Sequence, residues 1–169
     1  MKQLGMGIVL LASLSLGVVE LLGKRERLRC LRELCDALAL FRAGLADTRA
    51  PLPRLTQETG KKARGRAGLF FHALEEKLLS LGTYSFSELW GQAVDETMTP
   101  LTPEERESMR CCGVMLGRFA LEEQLAALDQ LQRQLENIFT AEQRRYRDEK
   151  KLSLWLPTAA GALLVILLL

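Results

Sequence analysis

A single histidine, His72, serves all 169 residues, so imidazole chemistry has almost nothing to work with. Cysteine is little better placed. Cys30 and Cys35 are five apart and Cys111 and Cys112 are adjacent, whereas zinc sites use Cys-x2-4-Cys pairs with a second pair or histidines to match. All four read as small buried hydrophobes that a cytoplasmic domain would keep reduced. No Gly-x4-Gly-Lys-Ser/Thr loop is present: Gly60-Lys61-Lys62 lacks the first glycine, and no hydroxyl follows the lysine. No Gly-x-Ser-x-Gly elbow exists either. The acid pairs Glu75-Glu76, Glu104-Glu105 and Glu122-Glu123 sit in helical registers beside basic residues and read as solvated faces. The sequence therefore gives no catalytic set, no cofactor and no metal, and the expected protein is not an enzyme.

Aromatic residues make up only 6% of the chain, β-branched residues are scarce, and no stretch alternates like a strand. What is abundant is apolar sequence at the two ends. Residues 4–22 are apolar or small except for Glu20, and 152–169 form a second such run. A bilayer core roughly 30 Å thick needs about 20 helical residues to cross. Residues 1–23 and 152–169 are thus expected as transmembrane anchors around a polar domain, 24–151. The lipid bilayer is the first expected partner. Central Leu, Ile and Val contribute about −0.5 kcal/mol each to insertion, so the Leu-rich tail favours it by several kcal/mol. Pro157 lies near the start of that run, where the first turn of a helix tolerates it.

Charge orients this layout. Lys24, Arg25, Arg27, Arg29 and Arg32 follow the first run, and Arg144, Arg145, Arg147, Lys150 and Lys151 precede the second. Cytoplasmic flanks collect Lys and Arg, which predicts a cytoplasmic middle and both termini outside. A cleaved signal peptide is the rival reading of the first run, but its positive charge would precede the apolar core rather than follow it. Glu20 falls near the cytoplasmic end of that run, where its carboxylate can reach water.

Between the runs, apolar residues recur every three or four positions. Leu28, Leu31, Leu34, Leu38, Phe41 and Leu45 mark a first helix, closed by Gly44 and the Asp47-to-Pro51 stretch. Residues 52 to about 63 suit a short helix with Pro53 in its first turn. The basic stretch Lys61–Arg66 reads as a connection; with no larger basic field or stacking aromatics, nucleic acid is not expected. A helix over 68–80 has Leu69, Phe70, Ala73, Leu74 and Leu78 on its apolar side, and Gly82 breaks it. Ser85 and Glu88 form a capping-box pattern for a helix over 86–97. Thr102-Pro103-Glu104-Glu105 opens the next, with Met109, Cys112, Met115, Leu116 and Phe119 apolar and an end near Gly117 or Arg118. From Ala120 nothing interrupts the helix to Trp155, and Leu121, Leu125, Leu128, Leu131, Leu135 and Ile138 form its seam. That seam covers under three heptads, which favours packing within one bundle over a coiled coil. Beyond Phe139 it turns polar at Glu142, Arg145 and Glu149, predicting departure from the bundle. The fold class is all-α, with about six helices in the middle domain.

The chain resembles stage III sporulation protein AB of endospore-forming Firmicutes along essentially its whole length. The residues carrying the resemblance are the Met-x-x-Leu-Gly start (Met1 to Gly5), the basic exit Lys24-Arg25-Glu26-Arg27-Leu28, and Leu-Pro-x-x-x-Gly-Ala-Leu-Leu (Leu156 to Leu164). The middle is similar to the cytoplasmic six-helix domain of the type II secretion F family. Leu38-Ala39-Leu40-Phe41-Arg42-Ala43-Gly44-Leu45 looks like that family's first-helix ending, and Ser85-Phe86-Ser87-Glu88-Leu89-Trp90 like its Leu-Ser-Glu-Ala-Leu stretch. The resemblance implies a cell-membrane component, in the mother-cell membrane facing the forespore. There it would join a channel complex with other proteins of the stage III sporulation operon and serve as a platform for a secretion-type ATPase. Arg64, Arg66, Glu104, Glu105 and Arg106 are the candidate contacts. Full secretion F proteins have two such domains and three spans, so one domain with two spans implies a possible homo-oligomer. The alternative is a membrane-anchored helical regulator acting by helix-in-groove protein binding, through Leu31-Arg32-Glu33-Leu34-Cys35-Asp36.

Overall fold

A computed structural model of the chain describes the backbone of residues 2–48 and 50–168 and the side chains of 22–48 and 50–147. The described residues are all-α and form six helices: α1 Lys2–Thr48, α2 Leu52–Lys62, α3 Gly65–Leu78, α4 Phe86–Thr97, α5 Pro103–Arg118 and α6 Leu121–Leu168. No strand occurs among the described residues. The runs expected as membrane anchors, 1–23 and 152–169, fall almost wholly outside the described side chains. Among the described residues no helix is long and apolar enough to cross a membrane.

Helix α1 is the axis of the domain and packs against α2, α3 and α6. Contact on several sides widens its buried stripe beyond the usual one-third of a helix. Leu31, Leu34, Leu38, Phe41 and Leu45 are buried as the spacing predicts, and so are Cys30, Cys35 and Ala37 on the flanks. Cys30 and Cys35 face different directions yet both are enclosed. Gly44 does not close the helix. It lies inside α1 because a Cβ there would come within 2.9 Å of Leu55 Cδ2, so its absence lets α2 approach closely.

Both capping boxes form. The hydroxyl of Ser85 accepts from the Glu88 N–H while the Glu88 carboxylate accepts from the Ser85 N–H, and Thr102 and Glu105 repeat the arrangement. Helix α3 starts earlier than its pattern suggests, at Gly65, leaving only Ala63 and Arg64 between α2 and α3. Its apolar side is also rotated, with Phe71 buried and Leu69 exposed. Phe71 lies against Phe41, ring centroids 5.5 Å apart, and Phe70 meets Trp90 edge-on at 4.8 Å. These rings join α1, α3 and α4 at the centre of the core. In α5, Met109, Cys112 and Leu116 are buried, but Phe119 falls beyond the helix end and is exposed.

Helix α6 runs antiparallel to α1. Arg42 pairs with Asp129 at 3.6 Å, and Arg27 with Glu142 at 3.3 Å. The second pair corrects one expectation: α6 does not leave the bundle at Phe139. Ile138 and Phe139 still pack against the core, and Glu142 beyond them pairs with Arg27 on α1.

Candidate functional site at the entry and exit of the helical domain

Residues 22–29 of α1 and 142–147 of α6 lie side by side, and each helix is continuous with one of the two apolar runs. Arg27 is the hub of this end. Its Nη2 donates to Glu105 Oε1 at 2.6 Å and its Nε to Glu105 Oε2 at 3.3 Å, while Nη1 reaches Glu142 Oε1 at 3.3 Å. The forked guanidinium therefore ties α1 to both α5 and α6. Hydrogen bonding to Glu105, opposed by partial burial, raises the Arg27 pKa further above its ordinary value.

Glu105 is only 2% exposed. Its second task is local, because Oε2 also accepts the Thr102 N–H at 2.8 Å in the α5 capping box. It is therefore an internal tie and not part of the surface for which it was a candidate. The other candidates divide. Arg64 and Glu104 are exposed. Arg66 is half-buried and pairs with Glu26 at 2.7 Å. Arg106 is half-buried, with a buried Nε that has no partner.

Glu33 is a participant the sequence did not single out. Helix α3 has neither an acidic residue in its first turn nor a side-chain cap of its own. Glu33, projecting from α1, accepts the Arg66 N–H at 2.9 Å and supplies that cap across the interface. Gly65 makes this possible: its φ is +56°, and a Cβ there would lie 2.1 Å from Glu33 Oε2. Arg29 donates to the other carboxylate oxygen at 2.9 Å.

Two grooves flank this network. One of about 250 Å³ runs between α1 and α6, lined by Lys24, Arg27, Leu28, Glu142, Arg145 and Tyr146. Another, about 420 Å³, is lined by Glu26, Arg29, Cys30, Glu33, Gly65, Arg66 and Leu69. Among the described residues no cluster of three His, Cys, Asp or Glu side chains could hold a metal. His72 lies 3.8 Å from the Glu75 carboxylate, its one acidic neighbour among the described residues.

The segment read as a groove-binding helix is not available for that role. Leu31 and Leu34 are fully enclosed and Cys35 is buried, so presenting them to a partner would require opening the core.

Architecture and site together define a class: a six-helix domain whose first and last helices leave it side by side, in a charged collar. Residues 2–169 match the family model of stage III sporulation protein AB, and the chain belongs to that family. A solved structure of a stage III sporulation protein AB (SpoIIIAB) superposes with a TM-score of 0.64 at 22% identity. The match covers 72% of this chain and 97% of that one, and it shows the shared fold. No curated protein matches.

Proposed function

We propose that this chain is a non-enzymatic membrane platform of the channel complex between mother cell and forespore. Residues 1–23 and 152–169 are its two spans, and 24–151 face the mother-cell cytoplasm and receive a secretion-type ATPase. Family membership supports the sporulation role. One observation carries the platform reading: the Arg27–Glu142 pair holds the exits of α1 and α6 together at one end of the domain, and the Arg27–Glu105 pair ties that end to α5. Two spans leaving side by side hold a domain at a fixed height and orientation, as a docking platform for a rotating or cycling motor requires. Arg64, Arg66, Glu104 and Arg106 remain the candidate ATPase contacts, and a homo-oligomer would supply the second domain found in secretion F proteins.

The experiment is binding of the cognate ATPase to the full chain in bilayer nanodiscs. Saturable binding that charge-reversing substitutions at Arg64 and Glu104 weaken is the expected result. No binding by the embedded, folded chain would sink the platform reading.

A further inference from the structure

We propose that the groove between α1 and α6 binds the phosphate headgroup of an anionic lipid. This rests on reading the two apolar runs as spans, because that reading puts the groove at the membrane surface. Lys24 is one residue from the first run, about 1.5 Å along the helix, and Arg145 is seven residues from the second, about 10 Å. A bilayer's polar layer is about 5–7 Å deep on each face, and long basic side chains reach several ångströms along it. The groove therefore opens at headgroup height.

Its chemistry fits an anion. Segments 24–29 and 142–147 together carry seven basic residues and two acidic ones, Glu26 and Glu142. Glu142 is paired with Arg27, and Glu26 with Arg66 on the far side, facing the other groove. Besides Arg27, the basic residues of the groove wall are Lys24 and Arg145, and no described acidic residue forms an ion pair with Arg145. Tyr146 adds an amphipathic ring of the kind that settles at the membrane–water boundary. A volume of about 250 Å³ accommodates a phosphate with part of its glycerol. The neighbouring groove over Cys30 balances Glu26 and Glu33 against Arg66 and Arg29 and offers no net positive charge to the same ligand.

The test uses the full chain in phosphatidylcholine nanodiscs doped with photo-crosslinkable headgroup analogues of phosphatidylglycerol or phosphatidylcholine. Each basic residue near an anionic surface favours it about fivefold. The phosphatidylglycerol probe should therefore label peptides spanning 22–29 and 142–147 at least about fivefold more than the neutral probe. Lys24→Gln with Arg145→Gln should bring it down to the neutral level. Arg25→Gln, at the same height but outside the groove, should leave labelling unchanged. Equal labelling by the two probes, or equal loss in Arg25→Gln, would overturn the groove in favour of diffuse charge. Suppression by excess inorganic phosphate would overturn the lipid as ligand. Release of the chain by alkaline carbonate would instead overturn the spans, and the headgroup site with them.

Discussion

Glu105 caps its own helix and, with the same carboxylate, receives the guanidinium of Arg27 from a helix 78 positions away in sequence. One side chain thus fixes the start of α5 and the approach of α1. Arg27→Ala would strand a buried carboxylate. The loss should be about 2 kcal/mol, below the 3–5 of a fully enclosed pair, because the Arg27 side chain is 25% exposed. Glu105→Gln keeps an acceptor for the cap and should lose less than Glu105→Ala. Chemical denaturation of the full chain in detergent checks the order; equal stability of all three variants and the parent would contradict it.

Trp90 and Gly113 make a second such pair. The indole Nε1 donates to the Met109 carbonyl at 2.8 Å, and it reaches that position because residue 113 has no Cβ. An added Cβ would lie 2.3 Å from Trp90 Cδ1. Gly113→Ala should destabilise by about 2–3 kcal/mol through overpacking and the lost hydrogen bond. Gly117→Ala is the contrast, since its Cβ would meet Phe86 and Ser87 at an ordinary 3.5 Å. Better helix propensity should leave it neutral or stabilised by up to about 1 kcal/mol. Thermal unfolding of the two variants separates them.

How much of this was legible in the sequence follows from the range of each interaction. The caps at Ser85 and Thr102 are encoded within four residues, and both form. The apolar stripe of α1 follows from period alone, but its extra width does not, because that depends on α1 having neighbours on several sides. Gly44 looked like a helix stop because composition cannot distinguish a terminating glycine from one that admits Leu55. Glu33 and Arg27 were invisible as site residues for the same reason: their partners are 33 and 78 positions away. Glu142 looked solvated because polarity was read without its ion pair to Arg27.

The Glu33 cap on α3 is testable by itself. Glu33→Ala removes the acceptor for the Arg66 N–H and should cost about 1 kcal/mol. Gly65→Ala should cost more, since it combines a left-handed φ of +56° with a collision against the same carboxylate. Amide exchange at Arg66 should accelerate in Glu33→Ala; unchanged protection would remove the cap from the account.

The thiols make a pH prediction. Burial pushes Cys30, Cys35 and Cys112 up to about 12 from an ordinary 9.0. Below pH 9 both folded and unfolded chains keep these protons, and stability is unaffected. Between 9 and 12 only the unfolded chain releases them, so stability falls by about 1.4 kcal/mol per pH unit for each thiol. Alanine at the three positions should flatten that slope. Of the four free cysteines only Cys111 is exposed, so a thiol reagent should titrate one group in the folded chain and four in denaturant.

The central claim is that both terminal runs anchor this domain in the sporulating cell, and an in-frame deletion in the source organism tests it most directly. Three rescue genes would be compared through sporulation by microscopy: the full chain, one lacking residues 2–23, and one lacking 152–169. The account predicts arrest after engulfment in the deletion strain, rescue by the full chain, and impaired rescue by either truncation. Normal spores without the gene, or full rescue by a singly anchored chain, would contradict it.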